Sequence, residues 1–174
     1  MSEMKRLIAA MMVLMMAMAG CSGEPEVGPG ELYAKTLDGK TFTQADIAEK
    51  DLTIINFWGT YCMPCLAEMP DLAAYEKELP DNVQLITICV DAQGNEKSAK
   101  KILESAGYEG ITLVSGNEKF EEMCDYAMVI PLTIFVDSEG NQAWDEIVGA
   151  QEDLKKTYDE MVAKLLEEGE SEDE

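Results

Sequence analysis

The chain contains no histidine. That removes the side chain most used as a general base near neutral pH, the imidazole partner of serine and cysteine nucleophiles, and the commonest metal ligand. Positive charge is scarce: 13 lysines and arginines face 35 aspartates and glutamates, a net charge of −22. This balance argues against nucleic acid and against a polybasic hold on anionic lipid, since both need clustered cations. It suits a basic protein partner, and it equally suits plain solubility. There is no internal repeat, and 174 residues leave room for one domain with a sizeable core plus short appendages.

The longest apolar run, residues 7–19, is too short for a comfortable transmembrane span. Lys5 and Arg6 precede it, and it ends in Met18-Ala19-Gly20-Cys21. A basic start, an apolar middle and small residues at the end form the order of a secretory signal. Small residues before a cysteine resemble the bacterial lipobox, where the leader is removed and the cysteine takes a lipid. A plain signal peptide is the alternative. Residues 1–20 are therefore expected to be a lipoprotein signal peptide, Cys21 the lipidation site, and residues 21–30, rich in Gly and Pro, a flexible tether. The protein is then expected outside the cytoplasm, held to the bacterial cell membrane by that lipid. Disulfides persist in such a compartment.

Among five cysteines, Cys62 and Cys65 stand two residues apart in Trp58-Gly59-Thr60-Tyr61-Cys62-Met63-Pro64-Cys65. This is where an apolar run, 52–58, gives way to a helical pattern. A thiol at a helix N-terminus meets unpaired backbone N–H groups and the positive end of the helix dipole, so its thiolate forms more easily. A second thiol one turn on can close a disulfide or resolve a mixed one. Zinc is disfavoured, because no second ligand pair lies at suitable spacing. Pro64 falls in the first turn, where proline is tolerated.

The rest of the pattern frames this dithiol. Residues 31–43 read as a hairpin about Asp38-Gly39, and 44–50 as a short helix. The continuous apolar runs 52–58 and 83–90 read as buried strands. Helices are predicted over 63–79, kinked at Pro70, over 96–106, closed by Gly107, and over 118–126. Residues 111–115 form a short strand, and 132–137 and 142–148 a second hairpin about residues 138–141. An amphipathic helix follows over 152–168. The domain thus covers 31–168, and the acidic residues 169–174 are expected to be disordered. Strands alternating with helices imply parallel crossovers, and the terminal hairpin adds antiparallel edges: an α/β fold with a mixed central sheet flanked by helices.

With these elements in place the sequence resembles the TlpA/ResA-like group of membrane-attached thiol–disulfide oxidoreductases, which have a thioredoxin-like fold. Three segments carry the resemblance: Asn56-Phe57-Trp58-Gly59-Thr60-Tyr61-Cys62-Met63-Pro64-Cys65, Glu68-Met69-Pro70, and Val129-Ile130-Pro131-Leu132-Thr133-Ile134-Phe135-Val136-Asp137-Ser138-Glu139-Gly140. The resemblance implies that the residue 31–43 hairpin is an N-terminal extension of the fold. It makes Cys62 the nucleophile and more exposed thiol, Cys65 the resolving thiol, and Pro131 a cis-proline facing them. Trp58, Tyr61, Ile130 and Pro131 would contact the substrate. Thioredoxins proper carry a buried Asp just before the Phe-Trp pair; here Asn56 stands there, and the resembling group places a glutamate where Glu68 lies. A carboxylate near a dithiol can take or give the resolving thiol's proton, and it raises thiol pKa values, which favours a reductant. An exposed helix glutamate is the other reading of Glu68. Tyr61 departs from the group, which usually has Trp beside the first cysteine.

The implied activity is reduction of disulfides in client proteins, such as apocytochrome c, with electrons from a membrane donor of the CcdA type. No cofactor or metal is implied, and a monomer is expected. Cys89 and Cys124 read either as a second redox pair or as two small buried apolar residues. Two other functions compete. A peroxiredoxin-like thiol peroxidase needs a threonine three residues before its cysteine, but Gly59 precedes Cys62 and Cys62 precedes Cys65 at that spacing. A lipid-anchored binding protein would carry the bridge as a buried structural disulfide, against which the exposed look of this helix start argues.

Overall fold

A computed structural model describes residues 30–143 and 146–172. The expected signal peptide, the lipidation site Cys21 and nearly all of the tether lie outside the described residues. In chain order the elements are β1 (Tyr33–Thr36), β2 (Thr41–Thr43), α1 (Gln44–Ala48), β3 (Leu52–Trp58), α2 (Met63–Glu76), β4 (Val83–Cys89), α3 (Glu96–Ala106), β5 (Ile111–Gly116), α4 (Glu118–Tyr126), β6 (Leu132–Asp137), β7 (Ile147–Val148) and α5 (Leu154–Glu172). The strands form one seven-stranded sheet in the order β2-β1-β5-β4-β3-β6-β7.

Strand β3 is buried at every position, as its unbroken apolar run requires. It runs parallel to β4 and antiparallel to β6, with Asn56 opposite Thr133 and Phe57 opposite Leu132. Strand β5 runs parallel to β4, and the β1–β2 hairpin joins the far edge antiparallel to β5. Gly39, at φ 84°, supplies the left-handed residue that the hairpin turn needs. The alternation of side chains then divides the core. Leu52, Ile54 and Trp58 of β3, Leu85 of β4 and Phe135 of β6 pack with α2, α3 and α5. Ile55, Phe57, Ile86, Ile88 and Ile134 pack on the other face with Ile47 of α1 and Phe120 of α4.

Three elements differ from expectation. Of the strand read over 142–148, the described residues show an isolated bridge from Gln142 to Val136 and β7; residues 144–145 lie outside the described residues. Between that bridge and the Ile147–Thr133 pair the register against β6 shifts by two residues. Helix α2 ends at Glu76, with Lys77 as its cap, and runs through Pro70. The acidic segment from residue 169, expected to be disordered, continues α5 through Glu172. Glutamate is a strong helix former, and extending a helix whose earlier turns are packed costs little. The α3 terminus is as expected: Gly107 is left-handed at φ 73°, and the Tyr108 N–H returns to the Leu103 carbonyl at 3.0 Å.

Candidate active site

The carboxyl end of β3 delivers the chain into Gly59-Thr60-Tyr61 and then into α2. Gly59 sits in a tight space: a Cβ there would lie 3.1 Å from Ile130 Cδ1 and 3.3 Å from Asp91 Oδ1, so these side chains would have to give way. Asp91, just past β4, holds this turn. Its carboxylate accepts from the Thr60 N–H at 2.8 Å and from the Thr60 hydroxyl. Asp91→Ala is expected to cost about 1 kcal/mol of stability in denaturant unfolding. It should also slow disulfide exchange in an insulin-reduction assay, because the loop presenting Cys62 loses its anchor.

Cys62 is the N-cap of α2. Its Sγ accepts from the Cys65 N–H at 3.2 Å, so one of the helix's unpaired donors points at this sulfur, where it would favour a thiolate. Cys62 and Cys65 are joined: S–S 1.99 Å, Cα–Cα 5.3 Å. Cys62 is the more exposed of the two, as expected, but only 6% exposed against 0% for Cys65. The bridge therefore presents an edge, not an open sulfur. Its cover includes the segment ahead of β6, where the Ile130–Pro131 peptide is cis and the Ile130 carbonyl lies 3.7 Å from Cys62 Sγ.

The four expected substrate contacts separate. Tyr61 is exposed, Ile130 half-buried and Pro131 buried, with its carbonyl already taken by the Gly149 N–H at 2.8 Å. Trp58 corrects the expectation. It is fully buried among the side chains under α2, and its indole N–H has no partner in the described structure. Strand alternation turns residue 58 to the same face as Leu52 and Ile54, so it supports the dithiol from below and cannot touch a client. Other groups on the neighbouring segments are exposed instead. Met63 follows Cys62, Met128 and Val129 precede Ile130, and Val148 pairs with Leu132. All four are large, apolar and exposed, Met128 at 90%. The apolar run Met128-Val129-Ile130 ahead of Pro131 was the available signal for two of them.

Glu68 is not an exposed helix residue: it is 5% exposed on α2, three residues past Cys65. Burial pushes its carboxyl up to about 7, against hydrogen bonds from the Asn56 amide and the Gln151 backbone, while Asp71 adds a smaller upward push. Asn56 Nδ2 donates to Glu68 Oε1 at 3.3 Å and to Thr133 Oγ1 at 3.0 Å; Thr133 Oγ1 meets Tyr158 Oη at 2.6 Å. Thr133 and Tyr158 escaped the sequence reading. The one sign of Thr133 was a single hydroxyl in a strand otherwise apolar as far as Val136.

Cys89 and Cys124 do not pair; both are free thiols. Cys89 is buried in the cluster under α2, while Cys124, on α4, borders the cluster of the opposite face. Burial pushes Cys89 up to about 12, with Asp91 adding to it, and Cys124 up to about 11. Both shifts disfavour the thiolate near neutral pH.

Residues 22–162 match the Redoxin family. The thioredoxin-like protein YneN of Bacillus subtilis is 33% identical over 107 residues, covering 61% of each chain. The thiol-disulfide oxidoreductase ResA of Bacillus thuringiensis is 27% identical over 117 residues, covering 66% of this chain and 64% of that one. The matches thus span somewhat under two thirds of these relatives' own length. Among solved structures, a thiol:disulfide interchange protein of the thioredoxin family from Chlorobium tepidum superposes with a TM-score of 0.65 at 25% identity, covering 83% of this chain and 99% of that one. The mixed sheet flanked by helices is a thioredoxin-like fold.

Proposed function

The chain belongs to the Redoxin family, and from that premise we propose that it is a thiol–disulfide oxidoreductase that reduces disulfides in client proteins. One observation carries the reading: a disulfide between Cys62 and Cys65 at the start of α2, with the Ile130 carbonyl 3.7 Å from Cys62 Sγ. In the reduced protein the Cys62 thiolate, favoured by the Cys65 N–H and the helix terminus, attacks one sulfur of a client disulfide and expels the other as a thiolate. Cys65 loses its proton to the Glu68 carboxylate and its sulfur attacks Cys62 Sγ. The second client thiolate leaves, and two electrons have passed from the dithiol to the client. The Cys62–Cys65 bridge is the product of that cycle. The exposed apolar rim of Tyr61, Met63, Met128 and Val129 suits an extended, unfolded client segment.

The finer assignments rest on the sequence. The lipobox-like Met18-Ala19-Gly20-Cys21 supports a lipid anchor and a place outside the cytoplasm, where a membrane donor of the CcdA type would re-reduce the dithiol and apocytochrome c would be one client. No described helix is long and apolar enough to cross a membrane. A net charge of −22 would favour a basic client.

The deciding experiment is the reduction potential of the Cys62–Cys65 pair against defined glutathione or dithiothreitol ratios. A reductase is expected at or below about −270 mV. A value near −120 mV would make the protein an oxidant that installs disulfides.

A further inference from the structure

Glu68, Asn56, Thr133 and Tyr158 form a polar row inside an otherwise apolar layer. They come from four elements, α2, β3, β6 and α5, and none is more than 5% exposed. The row is sealed at its far end. The Tyr158 ring packs edge-on against Tyr75 and Phe135, and its residue is 1% exposed. It therefore offers Glu68 no proton path to water. What it sets is the direction of the hydrogen bonds that reach the carboxyl.

Thr133 has one hydroxyl proton and two neighbours. If it donates to Tyr158 Oη, its oxygen can only accept from Asn56. The amide then keeps its N–H edge toward both Thr133 and Glu68, the edge a carboxylate needs. If Thr133 donates toward Asn56 instead, the amide must turn its oxygen to the same two partners, and only a protonated carboxyl can then meet it. The amide has the orientation of the first arrangement: Nδ2 donates to both, and Asn56 Oδ1 is left buried without a partner, while either oxygen of the 2.6 Å Thr133–Tyr158 contact could be its donor. An orphaned acceptor is costly, so something holds the amide in place.

We propose that Tyr158 is a positioning residue for Glu68: by accepting from Thr133 it fixes the Asn56 amide with its N–H edge on the carboxyl, favouring the charged form. The other groups facing Glu68 are Asp71 on its own helix and the Gln151 backbone N–H ahead of α5, besides Tyr158 itself. Burial pushes the Tyr158 phenol well above its ordinary range, so it stays protonated throughout. Its weight in catalysis rests on the disulfide-exchange reading above; the positioning itself does not.

The test is a carbon-13 carboxyl titration of Glu68 in the full, oxidised chain. Tyr158→Phe keeps the ring and removes the hydroxyl, and Thr133→Val removes the link. Each should raise the Glu68 midpoint by about half a unit or more, as expected when a neutral hydrogen bond is lost. Thr133→Ser restores a hydroxyl and should leave the midpoint unchanged. Tyr75→Phe, which alters a ring packed on Tyr158 but outside the row, should also leave it unchanged. Unmoved midpoints in Tyr158→Phe and Thr133→Val overturn the proposal, as does an equal shift in Tyr75→Phe. If Tyr158→Phe fails to fold, the Thr133 Val and Ser pair decides. The pH profile of insulin reduction is read alongside. If the midpoint moves and the profile does not, the positioning stands and the proton role of Glu68 falls.

Discussion

Cys62→Ser is expected to bring disulfide exchange down to the uncatalysed background, while Cys65→Ser stops the same cycle one step later. The two variants differ because the two sulfurs do. Cys62 caps α2, receives the Cys65 N–H, and is the only one of the pair with any exposed surface. A serine hydroxyl there ionises far above neutral pH, so no attack begins. Cys65 is fully buried and can be reached only from Cys62. Without it the first attack still occurs, and the client stays bound as a mixed disulfide. Mass spectrometry of Cys65→Ser incubated with an unfolded disulfide client should find that adduct, removable by dithiothreitol. If both variants instead keep turnover and lose only stability, the bridge is structural and the enzymatic reading fails.

The second large effect belongs to Glu68→Gln and depends on pH. Burial raises this carboxyl from an ordinary 4.5 to about 7. Below the unfolded value, folded and unfolded chains both hold the proton, and the residue costs nothing through ionisation. As pH rises past it, the unfolded chain loses its proton while the folded one keeps it, so stability falls. Above the folded value both are ionised and the penalty is complete, about 3 kcal/mol for a shift of this size. Glutamine resembles the protonated carboxyl and cannot ionise. Glu68→Gln should therefore match the wild type near about pH 4 and exceed it near about pH 8 by up to about 3 kcal/mol, measured by denaturant unfolding of the oxidised proteins. Function should move the other way. With no group to exchange the Cys65 proton, the rate should drop by about 10²-fold, and the inflection near neutral pH should disappear. A stability difference that is the same at both pH values would mean the carboxyl titrates normally.

The dithiol was legible because its chemistry is local. A helix start, two cysteines three positions apart and an apolar strand just before them can all be read along the chain. Pro131 and Glu68 were legible through resemblance to a family, and their surroundings were not. Trp58 shows the limit: its neighbours in sequence are reactive and exposed, yet strand alternation turns it into the core. Cys89 and Cys124 show it again, since no spacing reveals that a sheet lies between the clusters they join. The segment expected as one strand over 142–148 pairs with β6 in two registers, at Gln142 and at Ile147–Val148, and register depends on what the partner strand offers.

The sequence by itself determined the dithiol on which the proposed redox chemistry rests, the order of strands and helices that makes a mixed sheet, and the lack of any imidazole to assist the thiols. These follow from residue type and short spacing. Only the tertiary structure decided that Glu68 is buried, that Asn56, Thr133 and Tyr158 line up behind it, and that Asp91 holds the loop before Cys62. Those contacts join residues far apart in the chain, and their energies come from burial and from which groups share it. Neither is a property of any segment alone.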